Sequence, residues 1–334
     1  MVMENLLRAL TFIIVAVFVT TVFSGMVPVV AAEIPSSWSR EWPQTNFSKT
    51  SIKFNEVLSG GPPKDGIASI DKPQFVPVSE VTDLGGTEPV IVLTVKGQTK
   101  LYPLRILIWH EIVNDEIAGQ PVTVTYCPLC NAAIVFDARL KGQNLTFGTT
   151  GKLRKSDLIM YDRQTESWWQ QFSGQAIVGQ LTGQELKMLP TRIEAFGRVV
   201  KAFPKAHVLV PSNPSQRRYG ENPYRGYDTA KRPFLYDGEL PDDVPPMMRV
   251  VVVDGRAWTL ALLRKRGRIE WHDLVLAWHA GQNSVLDSRQ ISKGRDVGNV
   301  KVQRQTQRGL VDVVHHATFA FVFHAFHPDG ILVK

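Results

Sequence analysis

Two parts of this chain repeat one another, and a repeat ties the whole fold to a unit that one copy can build and a second can pack against. Val90-Ile91-Val92-Leu93-Thr94-Val95-Lys96-Gly97 is echoed by Met248-Arg249-Val250-Val251-Val252-Val253-Asp254-Gly255, and Pro103-Leu104-Arg105-Ile106-Leu107 by Ala261-Leu262-Leu263-Arg264-Lys265. Residues 134–139 match 284–289, and each copy ends on an aromatic run, 196–203 before Pro204 and 319–326 before His327-Pro328. The pattern predicts a duplication with unequal insertions: a first repeat over 67–210, which carries an extra block at 145–190, and a shorter second repeat over 234–334. A basic linker at 211–233 joins them, and an N-terminal extension occupies 33–66.

Local patterns give each copy its elements. Residues 90–95 and 250–253 are β-branched apolar runs ended by a turn, the signature of buried strands. Pro103 followed by apolar residues at 104, 107, 108 and 112 predicts a helix of about three turns over 103–115. Residues 121–125 and 132–137 read as a strand pair, and the glycines from Gly142 to Gly183 mark turns between short strands. The tail 317–326 has strand propensity, but its counterpart 194–203 has helical spacing, so a helix is expected there. The fold class is therefore α+β: a β-rich scaffold with an internal duplication and short helices packed on mostly antiparallel sheets.

The start of the chain bears on compartment. Arg8, an apolar run at 9–23 and Val30-Ala31-Ala32 together resemble an export signal over 1–32. The alternative is an uncleaved membrane anchor at 9–30. The expectation is an exported protein, periplasmic or extracellular, that meets a membrane only if this segment is retained. Most of the formal net charge of +7 comes from residues 192–232, which reads as a solvated connector. No nucleic-acid motif accompanies it, so nucleic acid is excluded as a partner.

Cys127 and Cys130 are the only cysteines, and they sit between the two predicted strands in Tyr126-Cys127-Pro128-Leu129-Cys130-Asn131. Two cysteines cannot frame an exported chain of this length with disulfides, so their role is local. The first reading is a metal knuckle, in which a hairpin tip turns both sulfurs inward and Asn131 adopts the left-handed conformation that ends the turn. The second is a thiol–disulfide redox pair, for which the strand after Cys130 offers no activating helix N-terminus. A permanent clip is the third; a loop this short stabilises by only about 2 kcal/mol. The second copy has Ala277 and Ala280 where the first has the cysteines, so the scaffold does not need the thiols in order to close.

A metal needs further donors. His110, on the predicted helix, is the first choice, and a half-buried histidine bonded to backbone is its alternative. His324, three residues before His327, is the second choice, although its phenylalanine neighbours suit a core position. Met160 could add a thioether to a soft metal, or simply pack. A Cys2His set suits a transition-metal ion, copper ahead of zinc.

The segment 161–169, Tyr-Asp-Arg-Gln-Thr-Glu-Ser-Trp-Trp, concentrates acids, hydroxyls and two tryptophans together with the nearby Asp157. It either bonds a complicated turn together or lines a cleft for a small-molecule or carbohydrate ligand. In a cleft, Asp162 and Glu166 would be the catalytic acid and base, with Arg163 for an anionic group. His110-Glu111-Ile112-Val113-Asn114 lacks the second histidine of a zinc-peptidase helix, and 148–152 lacks the spacing of a phosphate loop.

These motifs in combination, His110 to Asp115, Tyr126 to Cys130, Phe147-Gly148 with Gly151, Ser156-Asp157-Leu158 and Tyr161 to Trp168, resemble the bacterial and archaeal family catalogued as domain of unknown function 3179. Many of its members have glycine after the second cysteine, where this chain has Asn131. The resemblance groups the motifs and implies no reaction. The functional expectation is thus an exported metal-binding protein for metal handling or electron transfer, with a thiol–disulfide oxidoreductase or a small-molecule binder as alternatives.

Overall fold

The computed structural model describes residues 34–334, so the predicted signal or anchor over 1–32 lies outside the described residues. The described chain is β-rich. Five sheets of four or five strands are arranged like the blades of a propeller, and almost all neighbouring strands run antiparallel. The α-helices have six or seven residues each, too short to form a layer of their own, which corrects the α+β expectation. Among the described residues no helix is long and apolar enough to cross a membrane.

Two pairs of sheets share one strand order. In one sheet Thr191–Ala195, Pro89–Val95, Gln98–Pro103 and His207–Val210 lie side by side, with Gln74–Pro77 added at the edge. In another, His316–Phe319, Arg249–Val253, Arg256–Thr259 and Ile331–Val333 follow the same order, down to the parallel pairing of the last two. Likewise the order Ile112–Ile117, Gln120–Cys127, Ala132–Asp137, Met188–Leu189 has its match in Arg268–Trp271, Leu274–His279, Asn299–Thr306, Gly309–Asp312.

Several local expectations need correction. The helix after Pro103 covers only Leu104–His110, because Glu111 turns to φ 58° and closes it with a bond from its N–H to the Leu107 carbonyl. Ile112 and Val113 then pair with Thr125 and Val124 as strand, the conformation their branched side chains favour. The tail is strand and helix in succession, His316–Phe319 then Ala320–Phe326, as is its counterpart, Thr191–Ala195 then Phe196–Ala202. Residues 284–289 form no strand; the place of Ala132–Asp137 is taken by Asn299–Thr306. The amide of Tyr126 bonds the Glu111 carbonyl just as that of Trp278 bonds Gly267, which sets Cys127 level with His279 rather than Ala277.

The connector at 211–233 is exposed over residues 212–216 and anchored beyond them. Tyr219, Tyr224 and Tyr227 pack on the main core, and buried Asp228 accepts hydrogen bonds from Arg249 and Arg295, both at 2.9 Å. The same core holds Phe136, Phe147 and Trp169 together with Val285, Phe319 and Phe321, so both halves of the chain bury one another.

Candidate functional site at the cysteine hairpin

The two cysteines stand where the strand pattern predicts, at the tip of the hairpin formed by Gln120–Cys127 and Ala132–Asp137. Asn131 has φ 51°, the left-handed conformation expected of it, and its N–H reaches the Pro128 carbonyl. Cys127 is 1% and Cys130 0% exposed, and both are free thiols. Distant residues fasten the tip: the Thr318 hydroxyl donates to the Cys130 carbonyl (2.8 Å) and the Tyr227 hydroxyl to that of Leu129 (3.1 Å).

A second hairpin supplies the rest of the site. Arg154 and Asp157 pair across a two-residue turn, Lys155-Ser156, whose φ values of 56° and 62° are those a tight hairpin turn needs but that residues other than glycine seldom adopt. The turn is held in place by bonds from Lys155 Nζ to the Ala325 carbonyl (2.5 Å) and from Ser156 Oγ to the Phe234 carbonyl (2.6 Å). Its product is a carbonyl aimed at the sulfurs: Ser156 O lies 3.5 Å from Cys130 Sγ and 3.9 Å from Cys127 Sγ, each thiol donating. Asp157 follows directly. One of its oxygens accepts from Gln170 Nε2 (2.7 Å) and the Phe172 N–H (2.8 Å), whereas Oδ1 is buried with no conventional partner. A carboxylate oxygen of Asp157 and both sulfurs lie within 4.8 Å of one another.

Burial dominates the electrostatics. It pushes the Cys130 thiol well above the ordinary range, and the neighbouring Cys127 sulfur pushes the same way. Cys127 is raised as well, again by burial, but the neighbouring Cys130 thiol and N–H oppose the rise. Cys127 is thus the thiol whose ionised form is better supported. Burial lifts Asp157 to about 6 against the pull of Gln170 and the Phe172 amide. Glu111 is lifted to about 8, by burial first and then by the charge of Asp157. Two neighbouring carboxyls are therefore held in different protonation states near neutrality.

A cavity of about 120 Å³ opens beside Cys127 and Glu111. Its walls are largely apolar, with Ile67, Leu129, Leu153 and Phe234 among them. Gly151, at φ 70°, lets the Pro62 segment close one side; a Cβ there would lie 1.9 Å from the Pro62 carbonyl oxygen.

The structure brings together some predicted residues and not others. His110 does not join the sulfurs: its Nδ1–H donates to the Ala68 carbonyl (2.7 Å), so its Nε2 accepts from the Tyr219 hydroxyl (2.8 Å), and burial lowers its pKa. The group of converging donors contains neither His110 nor His324. Met160 is packed in the core. In the acidic segment, Asp162 accepts from the Thr165 N–H (2.7 Å) and Trp169 Nε1 (2.8 Å), Arg163 pairs with Asp71, and Glu166 accepts from the Gln44 N–H (2.9 Å) and Lys64 Nζ (2.5 Å). Asp162 thus bonds the turn internally, Arg163 ties it to Asp71, and Glu166 ties it to the N-terminal extension. Sequence reasoning missed the roles of Asp157 and Glu111. The turn before Asp157 contains no glycine to announce it, and Glu111 was hidden inside a predicted helix.

A family profile described as "Protein of unknown function (DUF3179)" matches residues 64–330, most of the chain. No curated protein and no solved structure matches.

Proposed function

The chain belongs to the DUF3179 family, whose description carries no activity, and from the geometry of its site we propose that it is a thiol-based redox protein in which Cys127 and Cys130 cycle between dithiol and disulfide. The observation that carries this reading is the free Oδ1 of Asp157 beside both thiols. A buried carboxylate in that place is a base for thiols that burial would otherwise keep protonated. The pair is also unequal. Cys127 faces the cavity and its thiol is the less strongly raised of the two, which suits it to attack; Cys130, fully buried, suits the role of resolving thiol. Attack by Cys127 sulfur on an oxidised substrate bonds the two, and attack by Cys130 on Cys127 then releases the reduced substrate and leaves the disulfide. Two electrons and two protons pass to the substrate. The apolar start of the chain, read as an export signal or anchor, would set this pair outside the cytoplasm.

The test is oxidation of the reduced full chain with diamide, followed by mass spectrometry and equilibration against glutathione. The expected result is one intramolecular disulfide per chain with a potential inside the range of about −120 to −270 mV spanned by exchange-active pairs. Thiols that do not pair in the folded protein would end the proposal.

A second reading is a metal centre, favoured by the convergence of two sulfurs and one carboxylate oxygen. With a carboxylate rather than an imidazole as third donor, zinc suits the set better than copper. Against it, the backbone group turned to both sulfurs is the Ser156 carbonyl, which accepts from thiols and repels thiolates. Metal analysis of protein purified under reducing conditions separates the two.

The repeated strand orders support a further part of the proposal, that the halves arose by duplication and only the first acquired thiols.

A further inference from the structure

Resting on the redox reading, we propose that the oxidising substrate is a small hydroperoxide admitted to the cavity beside Cys127, with Glu111 as the proton donor to the departing oxygen. Size is the first argument. A cavity of about 120 Å³ has the volume of roughly four waters in the liquid. Cys127 is otherwise sealed, at 1% exposure, so a disulfide carried on a protein surface cannot reach its sulfur. The substrate must be a small molecule that tolerates apolar walls.

Chemistry is the second. Of the polar side chains lining the cavity, Thr149 is committed to the Ile67 carbonyl (2.8 Å) and Lys152 to Glu41 (2.8 Å). That leaves Cys127, Glu111 and Tyr224 to meet a guest. The bond from the Tyr126 N–H to the Glu111 carbonyl (2.8 Å) fixes the carboxyl-bearing residue next to the thiol-bearing strand end. A nucleophile and an acid on one small cavity fit cleavage of an O–O bond, whose leaving oxygen must be protonated as it departs. Glu111 keeps its proton at neutral pH while Asp157 is largely ionised, so acid and base are both in the required state.

The steps balance. Asp157 takes the Cys127 proton, the sulfur attacks the terminal oxygen of ROOH, an S–O bond forms as O–O breaks, and RO⁻ takes the Glu111 proton to leave as ROH. Cys130 then attacks the resulting sulfenic acid; an S–S bond forms, and the hydroxyl leaves as water with the Cys130 proton. The proton held by Asp157 returns to Glu111. In sum, ROOH and two thiols give ROH, water and a disulfide, which an external small thiol reduces.

The experiment compares hydrogen peroxide, cumene hydroperoxide and diamide as oxidants of the reduced full chain, by rapid alkylation and mass spectrometry. Hydrogen peroxide should oxidise Cys127 about 100-fold faster than it oxidises free cysteine, and cumene hydroperoxide more slowly. Glu111→Gln should slow the peroxide reaction about tenfold or more, and by more than it slows the diamide reaction, while Glu111→Asp recovers part of the loss. A peroxide rate no higher than that of free cysteine, or one indifferent to Glu111→Gln in folded protein, overturns the assignment even where diamide still forms the disulfide. Failure with diamide as well would overturn the redox reading itself.

Discussion

Asp157 and Cys130 lie together beneath the Lys155-Ser156 turn, the carboxylate held by Gln170 and the Phe172 amide on one oxygen and left open on the other. The sulfur beside it donates to the carbonyl of the turn that delivers the carboxylate, Ser156 O, at 3.5 Å. On the proposed reading, one tight hairpin sets both the base and the carbonyl that holds the thiols protonated until the base acts.

Replacing Asp157 by Asn keeps the shape and removes the base. Disulfide formation with diamide at pH 7 should slow by about 100-fold, while Asp162→Asn, on the same strand, leaves that rate unchanged. Stopped-flow thiol quenching on both variants checks this, and equal slowing would contradict the distinct roles assigned to the two acids.

Asp162→Asn should instead reduce stability. Its carboxylate accepts from the Thr165 amide and hydroxyl and from Trp169 inside the core, and an Asn amide cannot accept them all. A loss of about 1–3 kcal/mol in urea unfolding is expected.

Glu111 should make stability fall as pH rises. Its folded pKa, about 8, lies above the ordinary 4.5, so the folded state holds the proton more tightly. Its favourable contribution is complete below pH 4.5 and is lost progressively up to about pH 8. Asp157 acts in the same direction between 3.8 and about 6. Glu111→Gln should therefore be more stable than the parent at pH 9, by on the order of a few kcal/mol, and should gain little at pH 4. Denaturant midpoints at the two pH values measure the difference.

Tyr219→Phe removes the hydroxyl that His110 Nε2 accepts from and should destabilise by about 1–2 kcal/mol. Thiol reactivity and metal content should not change. A rise in bound metal would restore His110 as a ligand, because the substitution frees its Nε2.

Much of the scaffold was legible. The strand at Pro89–Val95 and the hairpin around the cysteines follow from β-branched runs, and Asn131 announced its left-handed turn by residue type. Misreadings arose where long-range pairing overrode a local pattern. Ile112 continues the helical spacing of Leu104 and Ile108, yet the partner strand at Thr125 claims it. His110 was chosen as a ligand by sequence proximity, but the connector residue Tyr219, more than a hundred positions away, occupies its ring. Polar density in 161–169 marked an important turn without telling turn from cleft, since both need the same residue types.

The bond from Thr318 to the Cys130 carbonyl couples the far end of the chain to the thiols. Synthesis of the first half alone would therefore leave the hairpin tip without this fastening. On the redox reading, the chemistry of the pair matures only after residues 188 positions downstream have been added.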